Sequence, residues 1–459
     1  MSSRLNMGTK TSGDSAPVEL SSRPADDPSA ICYQLEPTKH MLGNSDCDSS
    51  CQHCAPQTDR MPPCLMSNQS HSVIDLEQVT RIGLMITPQS CGTVIDQSWE
   101  AISTIRAVLR QQAIPMTVTS QNVFVRSAED VVPIEDLFRS YYRDRMPATN
   151  FIVQPPCGGQ ALAIEAWAIG GDDSHVEFLA PNVVSVQYNG LRWVHVSEVT
   201  PDDSSADAYT QSKQAFDNLL QQLKQAGTSF QDVVRTWIYQ GSITEVEGAV
   251  ERYREMNRAR SDFFDAQQAL KQMTVCREAR TYYPASTGIG MLGRGLTLSC
   301  MALQTDRADV QLLPLENPQQ TSAFDYSSKF STKSPKFSRA MAVVIGDYVT
   351  TWISGTASIV NSESVHIGDV EKQTEQTIEN IRRLISAENF SRHGVPGAGA
   401  ELSDLAKVRV YIKHAEDYQK CRSICERHFG ALPAIYAQAD VCRPDLLVEI
   451  EGVAFSQVR

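Results

Sequence analysis

The stretch Tyr436-Ala-Gln-Ala-Asp-Val-Cys442-Arg443-Pro444-Asp445-Leu446-Leu-Val448-Glu449-Ile450-Glu451-Gly452-Val453-Ala454 decides how the rest of the chain is read. From Leu446 to Ala454 it is rich in β-branched residues and bounded upstream by Pro444 and Asp445, which predicts a strand. Period-two alternation puts Glu449 and Glu451 on one face, with Val448, Ile450 and Val453 packing around a bend at Gly452. Two neighbouring carboxylates repel, so one of them is expected to keep its proton near neutral pH. An exposed polar face of an antiparallel strand accounts for the same pattern. Cys442 and Arg443 set a thiol and a cation for an anionic ligand just before this strand.

Upstream of it, Ala415 to Phe429 reads as a helix, Ala406 to Ile412 as a strand, Val370 to Ile385 as a helix, and Arg339 to Ile353 as two strands. The same order occurs twice before. Val184 to Val196 is β, Ala208 to Ala226 helix, Val233 to Tyr239 strand, Val246 to Phe264 helix and Leu296 to Leu303 strand. Earlier still, Arg81 to Ile86, Trp99 to Gln112, Met116 to Val125, Ile134 to Arg145 and Ala161 to Ile169 repeat it. Asn122-Val-Phe-Val125, Val234-Arg-Thr-Trp237 and Lys407-Val-Arg-Val410 each follow a helix. Pro147-Ala148, Pro284-Ala285 and Pro433-Ala434 are each expected to open a loop before a final strand. Three copies spaced by roughly 110–130 residues form an internal repeat. The glycine-rich Pro284-Ala-Ser-Thr-Gly-Ile-Gly290 does not lead from a strand into a helix, so it reads as a turn rather than a phosphate cradle.

The chain has 459 residues, 41% hydrophobic and 21% charged, with a net charge of −13 and twelve cysteines. This length exceeds one ordinary core. The acidic balance argues against nucleic acid as a partner. No run of eighteen apolar residues predicts a membrane span, and no apolar segment near Met1 resembles a signal peptide. A cytoplasmic setting with reduced thiols is therefore expected. Residues 1–75 are rich in polar residues and Pro and read as a disordered leader. Within it, Cys47, Cys51 and Cys54, with Cys64 following, have a spacing that an iron–sulfur cluster or, with a fourth ligand, zinc would accept, but an unliganded tail is the simpler reading. The remaining boundaries are 76–175, 180–310 and 311–459.

These landmarks, closing in "IEA" or "EIEG", resemble the Rid (YjgF) superfamily, whose small α+β units assemble as trimers with ligand sites at the clefts between them. With three repeats in one chain, the resemblance implies an α+β fold of β-α-β repeats arranged as an intrachain pseudo-trimer. From about Val184 onward the chain also resembles the chorismatases. Glu251-Arg-Tyr-Arg-Glu-Met-Asn257-Arg-Ala-Arg260, Glu316-Asn-Pro-Gln-Gln-Thr-Ser-Ala-Phe-Asp-Tyr326, Ser334-Pro-Lys-Phe-Ser-Arg339, Ile353-Ser-Gly355-Thr-Ala-Ser-Ile-Val360, His366-Ile-Gly-Asp369 and Cys442-Arg443 carry that likeness. The family commonly has Arg where this chain has Gln319 and Asp325, and Gly-His where it has Asn361-Ser362.

The resemblance implies hydrolysis of the enolpyruvyl ether of chorismate, or a related enol ether, to pyruvate and a hydroxybenzoate-type acid. That reaction needs a carboxylic acid to protonate the methylene carbon, and Glu449 matches the family's acid by position. Arg339 and Arg443 are expected to bind substrate carboxylates, with Tyr326 donating from its phenol. Arg422 serves equally well in a surface ion pair. Gly355 and Cys442 match the family's product-determining pair, in the combination that goes with 3-hydroxybenzoate. No cofactor and no metal at the site are implied, only a small carboxylate substrate, with the protein a monomer of internal threefold symmetry or a homo-oligomer. Two other readings remain. Rid-type imine or enamine hydrolysis usually relies on an arginine at positions held here by Thr149, Ser286 and Ile435, none of them cationic. A non-catalytic Rid-fold binding protein is the other.

Overall fold

A computed structural model describes residues 65–76, 78–268, 283–327 and 333–458. Cys47, Cys51, Cys54 and Cys64 lie outside the described residues. The described chain falls in one compact unit, Pro62–Arg459.

Three six-stranded mixed sheets follow one another. The first comprises β1 (Leu65–Ser67), β2 (His71–Asp75), β3 (Thr80–Ile86), β4 (Thr117–Val125), β5 (Ala148–Val153) and β6 (Leu162–Gly170), in the order β1-β2-β3-β6-β4-β5. Helices α1 (Val94–Arg110) and α2 (Val131–Tyr142) lie between its strands in sequence. The second comprises β7 (His175–Ala180), β8 (Val183–Tyr188), β9 (Leu191–Val199), β10 (Val233–Gly241), β13 (Ala285–Met291) and β14 (Leu296–Thr305), in the order β13-β10-β14-β9-β8-β7. Its helices are α3 (Ala208–Gln225) and α4 (Arg252–Gln268), the latter preceded by a hairpin of β11 (Val246–Glu247) and β12 (Val250–Glu251). The third comprises β15 (Val310–Leu315), β16 (Ala340–Ile345), β17 (Tyr348–Ala357), β20 (Leu405–Ile412), β21 (Ala434–Gln438) and β22 (Val448–Gln457), in the order β15-β16-β17-β22-β20-β21. Between β17 and β20 come the hairpin β18 (Ile359–Val360) and β19 (Glu363–Ser364), then α5 (Val370–Ile385) and α6 (Ala387–Arg392); α7 (Tyr418–Phe429) precedes β21.

Read from one edge, the strand order is identical in all three. The pairs β4–β5, β10–β13 and β20–β21 are parallel and the other ladders antiparallel. A parallel pair needs a crossover, and α2, α4 and α7 supply it. The register also breaks at matching points, Val118/Ser120, Val233/Arg235 and Leu405/Lys407. Each sheet buries one face under its own helices. The opposite faces share a central core that includes Trp167, Trp193, Trp352 and Phe455. Burial on both faces explains why β6, β14 and β22 are almost wholly buried and show no polar-out alternation.

Several expectations need correction. The stretches after Pro147-Ala148, Pro284-Ala285 and Pro433-Ala434 are strands β5, β13 and β21 rather than loops, because the crossover delivers them to a sheet edge. In β13, Gly290 replaces a side chain where the backbone of Asp440 approaches: a Cβ there would meet Asp440 O at 2.7 Å. The helix expected from Val246 begins at Arg252, since Gly248, at φ +66°, turns the preceding hairpin. Strand β22 starts at Val448 and runs straight through Gly452, which pairs with Ile353 and Val408, so no bend occurs there. Strands β1 and β2 fall inside the stretch read as a leader. Among the described residues no helix is long and apolar enough to cross a membrane.

Candidate active site

Glu449 and Glu451 share a face of β22, as alternation requires, but that face is buried: both residues are 4% exposed. Their surroundings differ. Glu451 accepts from Arg235 (2.5 Å), Arg409 (2.7 Å), the Tyr411 hydroxyl (3.1 Å), the Trp237 indole (3.1 Å) and the Thr287 hydroxyl. Burial pushes its pKa up, but Arg409 and Arg235, aided by Thr287, outweigh that and hold it below the usual carboxylate range. Arg409 and Lys407 also pair with the buried Glu165 of β6, so the ion cluster joins all three sheets. Burial and the neighbouring Arg409 depress Lys407 well below its ordinary value.

Glu449 lies outside this cluster. Among the described residues no side chain hydrogen-bonds its carboxyl, and it lines a cavity of about 340 Å³. Burial, then the charge of Glu451, pushes it up to about 8, against a partial pull from Arg235 and Arg339. It is a carboxylic acid at neutral pH, facing a space large enough for a small molecule.

The structure brings all six residues singled out from sequence to this cavity: Glu449, Arg339, Arg443, Tyr326, Gly355 and Cys442. Arg339, just before β16, donates to the Tyr326 hydroxyl (2.6 Å) and to Thr321 O (3.1 Å). Arg443 donates to Ser362 O (2.9 Å) and stacks 5.5 Å from the Tyr326 ring. Tyr326 is thus held between two guanidiniums. Gly355 sits against Glu449: a Cβ there would collide with Oε1 and reach Cδ at 2.9 Å. Burial, and next the Glu449 charge, pushes the Cys442 thiol up to about 12, so it is an uncharged wall rather than a nucleophile.

Sequence reasoning missed the opposite wall. Tyr253, Asn257 and Arg260 of α4 and Ser286 of β13 come from the second sheet and line the same cavity. Asn257 and Arg260 are 1% and 2% exposed. Among the described residues, Asn257 Nδ2, Arg260 Nε and Arg339 Nε are buried and have no hydrogen-bond partner. Unmet buried donors cost about 1–3 kcal/mol each, so their gathering here suits an acceptor-rich ligand. The missed signal was the 253/257/260 spacing, which puts a polar stripe on one helical face.

Arg422 lies elsewhere, in an exposed ion pair with Glu426 at 2.7 Å. Gln319 and Asp325 do not line the cavity, and Asn361-Ser362 forms the β18–β19 turn whose Ser362 carbonyl holds Arg443. At the positions where Rid deaminases would carry arginine, Thr149 and Ile435 are buried away from this cavity and only Ser286 reaches it.

The family model "Chorismatase FkbO/Hyg5-like, N-terminal" matches residues 166–302, and "Endoribonuclease L-PSP" matches 332–456. A 3-hydroxybenzoate synthase of Streptomyces hygroscopicus is 32% identical over 298 residues, 63% of this chain and 80% of the relative. A chorismatase of Streptomyces rapamycinicus is 37% identical over 229 residues, 49% of this chain and 64% of that protein, a little under two thirds of its length. A solved chorismatase structure superposes with a TM-score of 0.57 at 22% identity, covering 82% of this chain and 98% of the other, which speaks for the fold.

Proposed function

Because the chain belongs to the chorismatase family, we propose that it converts chorismate, cleaving the enolpyruvyl ether to release pyruvate, with Glu449 as the general acid. The observation that carries this reading is the buried Glu449 carboxyl, without a side-chain hydrogen bond among the described residues, at a cavity whose walls hold four guanidiniums, those of Arg254, Arg260, Arg339 and Arg443.

Glu449 gives its proton to the methylene carbon of the enol ether, generating an oxocarbenium ion. Water adds to that ion, and the resulting hemiketal collapses to pyruvate and the ring alcohol. Cluster-bound Glu451 stays ionised behind the acid and keeps it protonated before the transfer. Arg339 and Arg443 bind carboxylate, and Arg260 and Asn257 meet the ligand from the α4 side. The side-chain-free surface at Gly355 and the neutral thiol of Cys442 support 3-hydroxybenzoate as the ring product. Collapse to the ring alcohol consumes one water and gives the diene-diol; 3-hydroxybenzoate requires that ring also to lose its second hydroxyl and a ring hydrogen as water, so this route consumes no net water.

The matching strand orders and register breaks support reading the three sheets as an intrachain pseudo-trimer, with this cleft between its second and third units. The test is pyruvate release from chorismate by the full chain, with chromatographic identification of the ring product. Pyruvate with 3-hydroxybenzoate, lost in Glu449→Gln, is the expected result. Absence of pyruvate overturns the reading.

A further inference from the structure

We propose that Thr287 is a positioning residue for this acid step, its hydroxyl fastening the buried ion cluster to the Gly355 wall against which Glu449 rests. The inference rests on the function proposed above and adds a residue from the second sheet that touches neither substrate nor the reacting atoms.

Thr287 lies on β13 and is fully buried. Its hydroxyl uses its whole capacity of one donor and two acceptors. It donates to Glu451 Oε2, accepts from Arg235 Nη2 at 2.6 Å, and accepts from the Gly355 N–H at 2.9 Å. The last contact is the informative one. The β17–β22 ladder breaks register between Ile353 and Thr356, so Gly355 sits in a bulge and its N–H is free of the ladder. Thr287 takes that N–H from the neighbouring sheet, and so sets where the bulge stands. The bulge in turn sets the distance to Glu449, and no room for a Cβ remains between them. The Thr287 methyl adds a steric stop, 3.1 Å from the place of that Cβ.

The groups that face Glu449 come from five elements: Glu451 on its own strand, Arg235 from β10, Tyr253 from α4, Arg339 ahead of β16 and Cys442 ahead of β22. Thr287 carries no charge and does not touch Glu449 by hydrogen bond. Its effect therefore passes through the placement of Gly355 and Glu451, and appears as a change in how dry the Glu449 carboxyl is kept.

The experiment compares wild type, Thr287→Val and Thr287→Ser in two ways. The first is pyruvate release from chorismate as a function of pH. The second is the infrared carboxylic C=O band of Glu449, assigned by its disappearance in Glu449→Gln and followed with pH without substrate. Thr287→Val keeps the volume and loses all three hydrogen bonds. It is expected to lower kcat at least tenfold with KM within about threefold, and to move the alkaline limb and the band's titration to lower pH together. Thr287→Ser keeps the hydroxyl and is expected to hold kcat within about threefold with the wild-type titration. A Val variant with unchanged kcat and band overturns the proposal, as does a Ser variant impaired tenfold or more. The Ser arm decides by itself if the Val variant does not fold. Should wild type release no pyruvate while the band still shifts in Val, the proposed reaction fails and the positioning role stands. Pyruvate release with an unmoved band is the converse.

Discussion

Two sheet junctions in this molecule share a backbone plan and differ in chemistry. Between the second and third sheets, the bulge on β17 presents Ser354-Gly355, and β22 presents Glu449. Between the first and second, β9 breaks register against β14 at the matching place and presents Ser197-Glu198. There the β14 position paired with Tyr239 is Thr297, just as Glu449 pairs with Tyr411. Asn150 of β5 accepts the Glu198 N–H at 2.7 Å, as Thr287 of β13 accepts that of Gly355 at 2.9 Å. Each junction thus has a single carboxyl at this spot, but on opposite walls. Glu198 projects from the bulge and is tied to Asn182 Nδ2 at 2.8 Å, whereas Glu449 projects from the strand toward a bulge emptied by glycine. A common scaffold becomes a candidate acid site only where the bulge residue leaves room for the acid.

The harshest way to break this contrast is to remove the acid. Glu449→Gln keeps shape and neutrality, and is expected to lower kcat for pyruvate release by about 10²–10⁴-fold with the fold retained. Next comes the guanidinium wall, which the first junction does not need. Arg339→Ala is expected to raise KM about tenfold to a hundredfold, read from steady-state kinetics, since it removes the proposed charge-assisted contact to the substrate carboxylate. Filling the empty bulge is a gentler change: Gly355→Ala should displace Glu449, reduce kcat about tenfold and alter the ring-product ratio seen by chromatography.

The pH dependence sharpens the comparison further. With Glu449 pushed up to about 8, the proposed reaction uses its protonated form, and activity is expected to fall about tenfold per pH unit above that value. Stability follows the same sign: the unfolded carboxyl ionises near its ordinary value and the folded one higher, so this group's contribution to stability declines between those two pH values. The smallest effect belongs to the other junction. Burial, with Glu135 nearby, pushes Glu198 up to about 7. Glu198→Gln should leave pyruvate release within about twofold of wild type, and flatten the loss of thermal stability otherwise expected as pH rises to about 7.

Much of the candidate site was legible in the sequence because it lies on the strand that closes the third repeat and in the turns leading into it. Alternation alone put Glu449 and Glu451 on one face, and the family likeness assigned roles to the residues around them. The second wall was not legible in the same way. Asn257 and Arg260 sit in a charged helix whose spacing also fits a solvent-facing surface, and only the docking of the second sheet against the third turns them inward. The three Pro-Ala segments were misread for a related reason: glycine-rich or short apolar runs look like loops until a crossover helix offers them a parallel edge.

The sequence by itself determined the threefold recurrence of strands and helices and the identity of the chemically able groups, because periodicity and residue type are local properties. It could not say which of two glutamates keeps its proton. Arg235 lies 216 residues from Glu451, and Arg409 and Thr287 come from two different strands, so the cluster that ionises one carboxylate exists only after the sheets have packed. Desolvation depends on everything that surrounds a group in space. The tertiary structure therefore decided that Glu451 is the fixed charge and that Glu449, its pKa pushed up beside a cavity, is the candidate acid.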